Sequence, residues 1–137
     1  MSKPTLRTYH GIGSTVHGIA AVSKDPFSPR YDLDRKTGVI TRRSHSLYGE
    51  CIRGKILVFP SAKGGVAAGW AYFDLLHRGL APLAFIFQEV NPVMVQGAVM
   101  AGIPIVDGLS DDAMTTMVTG DWITVDGDGR QIVFGDN

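Results

Sequence analysis

Residues 55–79 read KILVFPSAKGGVAAGWAYFDLLHRG, and this stretch decides the fold. Its start, ILVF at 56–59, is an unbroken apolar run closed by Pro60, which is typical of a strand buried on both faces. A glycine-bearing turn follows. Residues 66–78 then carry apolar side chains at helical spacing up to Gly79, which predicts a helix that ends there. A buried strand, a turn and a helix form the unit of a parallel α/β sheet.

The same unit recurs downstream. Residues 83–87 (LAFIF) predict a second buried strand, and Pro92 opens a helix that ends before Gly102. Residues 103–106 predict a third short strand, and Ser110 is the expected N-cap of a helix that begins with two aspartates. This alternation predicts parallel β-α units.

The two ends of the chain have a different pattern. Residues 122–125 and 131–134 alternate around an Asp-Gly-Asp-Gly turn, which predicts a C-terminal β-hairpin. Near the start, residues 6–9 and 17–22 are strand candidates, and residues 23–38 are expected to be a loop. We therefore predict an α/β domain in which the flanking strands form a second layer.

Composition limits the function. The chain has 137 residues, 45% of them hydrophobic, with 13 basic and 13 acidic residues, so we expect a single domain over residues 1–137 and no nucleic-acid partner. The longest apolar stretches, such as 66–73, are too short for a membrane span, and residues 1–9 lack a signal-peptide core, so we expect a cytoplasmic protein. Cys51 is the only cysteine, and the four histidines lack metal-ligand spacing, so no metal site is expected in this chain.

The best candidate site follows the first buried strand. Lys63, Gly64 and Gly65 combine a positive charge, close backbone approach and the start of a helix, which suits a carboxylate or a phosphate. The order of residues is neither a P-loop nor a dinucleotide fingerprint. On local pattern alone, a tight turn with a solvated lysine is an equal alternative.

The loop of residues 23–28 (SKDPFS) is a second candidate. Ser23, Asp25 and Ser28 would give it two hydroxyls and a carboxylate for substrate binding. The loop could fold over the glycine turn or against a partner protein, or it could be only a proline-stiffened turn.

Several stretches taken in order resemble a known family. They are TGVI at 37–40, HSLYGE at 45–50, GKILVFP at 54–60, KG at 63–64, GLAPLA at 79–84, GA at 97–98, IPIV at 103–106 and TGD at 119–121. Together they resemble the swivel-domain small subunit of aconitase X, formerly a domain of unknown function. The resemblance implies a swivelling β/β/α domain like the mobile domain of aconitase. It also implies a large catalytic partner subunit that carries an iron–sulfur cluster or another metal, and dehydration of a small hydroxy acid.

One position departs from the family. There the Lys-Gly pair is usually followed by serines, the first of which resembles the catalytic base, whereas this chain has Gly65 and no hydroxyl up to Gly69. Ser61, a group from the 23–28 loop, or the partner could supply the base, or the reaction could differ. The leading hypothesis is the small subunit of a hydro-lyase, inactive alone, in which Lys63, Gly64 and Gly65 bind the acid. The alternatives are a non-catalytic binding or regulatory module, and a subunit of a related lyase or isomerase.

Overall fold

Three layers of secondary structure build the chain, as seen in a computed structural model that describes residues 3–29, 31–63 and 66–135, with residues 66–69 as backbone only. The helices are α1 (Val66–His77), α2 (Pro92–Met100) and α3 (Asp111–Thr116). The strands are β1 (Leu6–Arg7), β2 (His10–Ile12), β3 (Thr15–Val22), β4 (Leu33–Asp34), β5 (Val39–Ile40), β6 (Ile56–Phe59), β7 (Ala84–Phe87), β8 (Ile105–Asp107), β9 (Trp122–Asp126) and β10 (Gln131–Phe134).

The main sheet has the strand order β1-β10-β9-β3-β6-β7-β8-β2. Strands β3, β6, β7 and β8 are parallel to one another, whereas β1, β10, β9 and β3 pair in antiparallel fashion. The long strand β3 belongs to both parts, because Thr15–Ile19 pair with β9 while Ala20–Val22 pair with β6. The predicted α/β class, parallel β-α units and C-terminal hairpin are confirmed.

Alternating side chains of the buried strands face two separate cores. Ile56 and Val58 of β6 pack toward the antiparallel layer, while Leu57 and Phe59 pack toward α1 and α2. Strand β7 repeats this division, and all eight residues of the two strands are buried. Because a fully buried Val, Leu, Ile or Phe side chain contributes about 1.5–3 kcal/mol, the central layer is stabilised from both faces.

The N-terminal segment joins the two edges of the main sheet. Strand β1 pairs with β10 at one edge and, two residues later, β2 pairs with β8 at the other. Thr8 N–H donates to the carbonyl of Arg130 at 3.0 Å, and Tyr9 N–H donates to that of Asp107 at 2.9 Å, so the crossing itself is hydrogen-bonded. The layers are therefore linked on both sides, through β3 and through residues 6–12.

Local signals set the helix ends. Asn91 caps α2 by accepting from the N–H of Met94 at 2.9 Å, and Ser110 caps α3 by accepting from Ala113 N–H at 3.1 Å. Gly79 takes a φ of 74° just after α1, a left-handed conformation that favours glycine. None of the helices in the described part of the chain has the length and apolar character that a membrane crossing needs.

Some expectations were wrong in detail. The apolar positions of the predicted helices do not all face the core, since Trp70 and Phe73 of α1 and Met100 of α2 are exposed. Ala71, Tyr72 and Leu75 fill the α1 side of the core instead. Strand β2 was not predicted, and the expected 23–38 loop contains β4, which pairs with β5.

Candidate functional site

The 23–28 loop lies beside the segment that follows β6. Phe27 N–H donates to the carbonyl of Ser61 at 3.0 Å, and Lys63 N–H donates back to the carbonyl of Phe27 at 2.8 Å. The Phe27 ring is fully buried and stacks on Phe59, with centroids 4.5 Å apart. One apolar anchor thus brings the two predicted site segments together at the carboxyl end of β6.

Serine hydroxyls fix the shape of this loop. Ser23 Oγ donates to the carbonyl of Asp25 at 2.8 Å, accepts from Asp25 N–H at 2.9 Å and lies 2.9 Å from Ser46 Oγ. Ser28 is also buried, and its Oγ lies 3.4 Å from the N–H of Tyr31. Both hydroxyls form hydrogen bonds with nearby backbone groups. A substrate-binding role for Ser23 and Ser28 stays a prediction.

A polar pocket opens between the loop and a third segment, residues 42–45. It has a volume of about 130 Å³, and its walls are Asp25, Pro26, Asp32, Arg42, Ser44, His45 and Lys63. Two predicted site residues, Asp25 and Lys63, therefore share one cavity. That volume is the liquid share of about four water molecules, which is enough for one carboxylate or phosphate group.

A buried acid and a buried imidazole form the floor of the pocket. His45 Nδ1 accepts from the N–H of Leu47 at 3.1 Å, so the ring proton is on Nε2, which lies 3.1 Å from the carbonyl of Pro26. Asp32 accepts from Ser28 N–H at 2.8 Å through Oδ2 and from Arg42 Nη1 at 3.1 Å through Oδ1. The Asp32 and His45 side chains are almost entirely buried, at 3% and 2% exposure, and hold the 42–45 segment in place.

Positive charge is available at the mouth of the pocket. The side chain of Arg42 is 51% exposed although it pairs with Asp32, and Lys63 is exposed. No ion pair within the described residues neutralises the Lys63 amine. Because a charge-assisted hydrogen bond is stronger than a neutral one, these two cations suit an anionic ligand.

The remaining predicted site residues have different positions. Ser61 is half-buried and lies in the bridged segment, but it is not one of the residues that line the pocket. Gly64 and Gly65 lie outside the described residues. A catalytic role for Ser61 and a binding role for the two glycines stay predictions.

Sequence reasoning missed Asp32, Arg42 and Ser44, and it gave His45 little weight. All four lie in the long connection between β3 and β6. They reach the site only because this connection folds back against Pro26 and Lys63. The available signal was the HSLYGE stretch at 45–50, which was used for the resemblance but not for the site.

The described residues offer no obvious metal site. They contain no group of three or more His, Cys, Asp or Glu side chains that could hold a metal ion. Cys51 is half-buried, and its Sγ lies 3.8 Å from the carbonyl of Thr37. His10 and His17 bond instead to Asp107 and Thr124, at 2.8 and 2.7 Å.

Comparison with known proteins agrees with this architecture. Residues 5–134 match the family model described as aconitase X swivel domain. The chain belongs to the aconitase X swivel-domain family. Swivel-domain relatives include the phosphomevalonate dehydratase small subunits of Methanocella arvoryzae, 37% identical with 89% of this chain and 92% of the relative covered, and of Thermococcus gammatolerans, 32% identical with 93% and 95% covered.

Two solved structures have the same fold. The crystal structure of Thermococcus kodakaraensis aconitase X in its holo-form matches with a TM-score of 0.90 at 30% identity, covering 98% of this chain and all of that one. The solution NMR structure of a UPF0107 protein matches with a TM-score of 0.88 at 28% identity, covering 97% of this chain and all of that one. The predicted membership of this family is confirmed over nearly the whole chain.

Proposed function

We propose that this chain is the small subunit of a hydro-lyase that removes water from a small anionic hydroxy acid of the phosphomevalonate type. Relatives matched over nearly their full length are named as small subunits of a dehydratase. The observation that carries the proposal is the pocket in which Lys63 and Arg42 meet at the carboxyl end of β6. Ligands of open parallel sheets bind at that end.

The size of the pocket supports a shared active site. Whole small-molecule sites enclose about 300–1,000 Å³, whereas this pocket encloses about 130 Å³. It can hold one anionic group, and the rest of the substrate would extend past Arg42 and Lys63. A large aconitase X subunit placed over this mouth would enclose the reacting carbon atoms.

We place any iron–sulfur cluster or other metal in that large subunit. The described residues of this chain do not provide a ligand set for one. When bound by the partner, such a group would assist departure of hydroxide. The part given to this chain is to bind the acid, orient it and complete the enclosure.

Reconstitution tests the proposal. The chain is co-expressed with a large aconitase X subunit, and loss of water from phosphomevalonate is followed by mass spectrometry. We expect turnover by the complex and none by either chain alone. Lys63→Ala should raise KM about tenfold or more, because a hydrogen bond to a charged group contributes about 1.5–3 kcal/mol.

Lys36→Ala is the matched control, since Lys36 is also exposed but does not line the pocket. Normal KM in Lys63→Ala, measured beside that control, would reject the pocket as the substrate site. A complex that assembles, binds the acid and leaves it unchanged would instead favour the binding or regulatory module.

A further inference from the structure

We propose that the carboxylate of Asp25 is the base that removes the proton from the substrate, an inference that rests on the proposed dehydration. Elimination of water needs a group that accepts a proton from carbon, within hydrogen-bond reach of the bound acid. Lys63 and Arg42 are cationic and cannot accept one. The choice therefore lies among the other polar side chains of the pocket.

The two buried groups of the pocket are already engaged. Nδ1 of His45 is occupied by the N–H of Leu47, and Nε2 carries the ring proton and faces the carbonyl of Pro26. Both oxygens of Asp32 accept hydrogen bonds, and its side chain is 3% exposed. Neither group can take a proton from a ligand without losing a buried hydrogen bond.

The hydroxyl groups are weaker candidates. Ser44 lines the pocket and is exposed, but a neutral hydroxyl needs an adjacent base to activate it, and His45 has no free nitrogen. Ser23 and Ser28 are buried within the loop, and Ser61 is not among the lining residues.

Asp25 has one oxygen held and one available. Its Oδ2 accepts from Ser46 N–H at 2.7 Å. No partner within the described residues binds Oδ1. Ser23 Oγ accepts from the N–H of Asp25 and donates to its carbonyl, so the backbone of Asp25 is fixed. Such an arrangement orients a carboxylate without saturating it, as a general base requires.

The step moves one proton to Asp25 and releases one hydroxide from the substrate. Lys63 and Arg42 hold the carboxylate of the acid, and Asp25 takes the proton from the carbon beside it, which makes the Asp25 side chain a carboxylic acid. The electron pair of the broken C–H bond forms the C=C bond, and the C–O bond breaks with loss of hydroxide, which takes a proton from solvent to become water. Negative charge that develops on the substrate carboxylate is stabilised by the two cations.

Asp25→Asn in the reconstituted complex tests this role. Asparagine keeps an oxygen acceptor for Ser46 N–H but cannot take a proton at neutral pH. We expect kcat to fall about 100-fold or more, with KM within about threefold of wild type. The Asp25→Asn variant should also no longer exchange the proton on the substrate carbon for deuterium from D2O. In Asp25→Ala, added formate should restore part of the turnover, which a residue with only a structural role would not show.

Asp34→Asn is the matched control. Asp34 also accepts one backbone N–H, that of Lys36 at 2.9 Å, but it lies outside the pocket, so the variant should keep wild-type kcat. Undiminished deuterium wash-in in Asp25→Asn, or failure of formate to rescue Asp25→Ala, would overturn the assignment of Asp25 as the base. As long as the wild-type complex turns over, the proposed function would be unaffected by either result. Absence of turnover in the wild-type complex would overturn both.

Discussion

Replacing Phe27 by alanine tests whether the apolar anchor beneath the site is as firm as its contacts indicate. The ring is fully buried, stacks on Phe59 at 4.5 Å and lies 6.3 Å from the ring of Phe85. Truncation of a buried phenylalanine lowers the free energy of unfolding by about 3–5 kcal/mol, and with this stacked geometry we expect a loss of about 4 kcal/mol. Phe27→Leu, which keeps most of the volume, should cost about 1–2 kcal/mol.

Urea denaturation of the isolated chain measures the effect. With a slope of about 2 kcal/mol per molar, Phe27→Ala should lower the midpoint by about 2 M. Trp70→Ala is the control, because that side chain is 67% exposed and its loss should cost about 0.5 kcal/mol or less. The N–H groups of Phe27 and Lys63, which bond across the bridge, should also lose protection from hydrogen exchange in Phe27→Ala. A cost below about 1 kcal/mol with both amides still protected would refute the anchoring of the loop to the core.

Two further predictions concern the scaffold. Partial burial of the Asp121 carboxyl acts to raise its pKa. Hydrogen bonds from Lys3 and from Val118 N–H, together with the charge of Lys3, outweigh this effect, so the pKa of Asp121 lies below its ordinary value. The stabilisation is therefore present above the ordinary Asp pKa of about 4 and fades as pH falls through the lowered value. Lys3→Met should cost about 0.2–1 kcal/mol at pH 7 and less in strong acid, where the contacts of Lys3 with the carbonyl of Thr116 and the ring of Phe134 remain but the ion pair is gone. Equal costs at both pH values in denaturant titrations would contradict this. Asn91→Ala removes the cap of α2 and should cost about 1 kcal/mol by the same titration, whereas Asn91→Asp should keep most of it; equal losses in both variants would count against the cap.

Strong local signals predicted the central layer of the fold. Continuous apolar runs at 56–59, closed by Pro60, and at 83–87 predict buried strands, and the helix that follows each run makes them parallel. Strand β2 could not be found in this way, because His10–Ile12 is too short and polar to signal a strand. It becomes one only through pairing with β8, almost 100 residues further along the chain.

The site was predictable only in part, for the same reason. Lys63 and Asp25 were found because each lies in a stretch with a turn signal next to a strand. Arg42 and Ser44 have no such signal. They reach the pocket because the segment that contains them folds back on itself, with Ile40 N–H donating to the carbonyl of Glu50 and Ile52 N–H donating to that of Gly38. Proximity created by loop folding is not readable from spacing.

The crossing of residues 6–12 between the two sheet edges has a consequence for biosynthesis. Leu6 pairs with Ile132, so β1 gains its partner only after the more than 120 residues between them have been synthesised. Closing a loop of that length carries a large entropic cost and slows folding. Until then β1 has no partner and the edge of β9 that β10 covers stays open, and open strand edges favour pairing with other molecules. The need for chaperones during translation should therefore last until β10 has emerged from the ribosome.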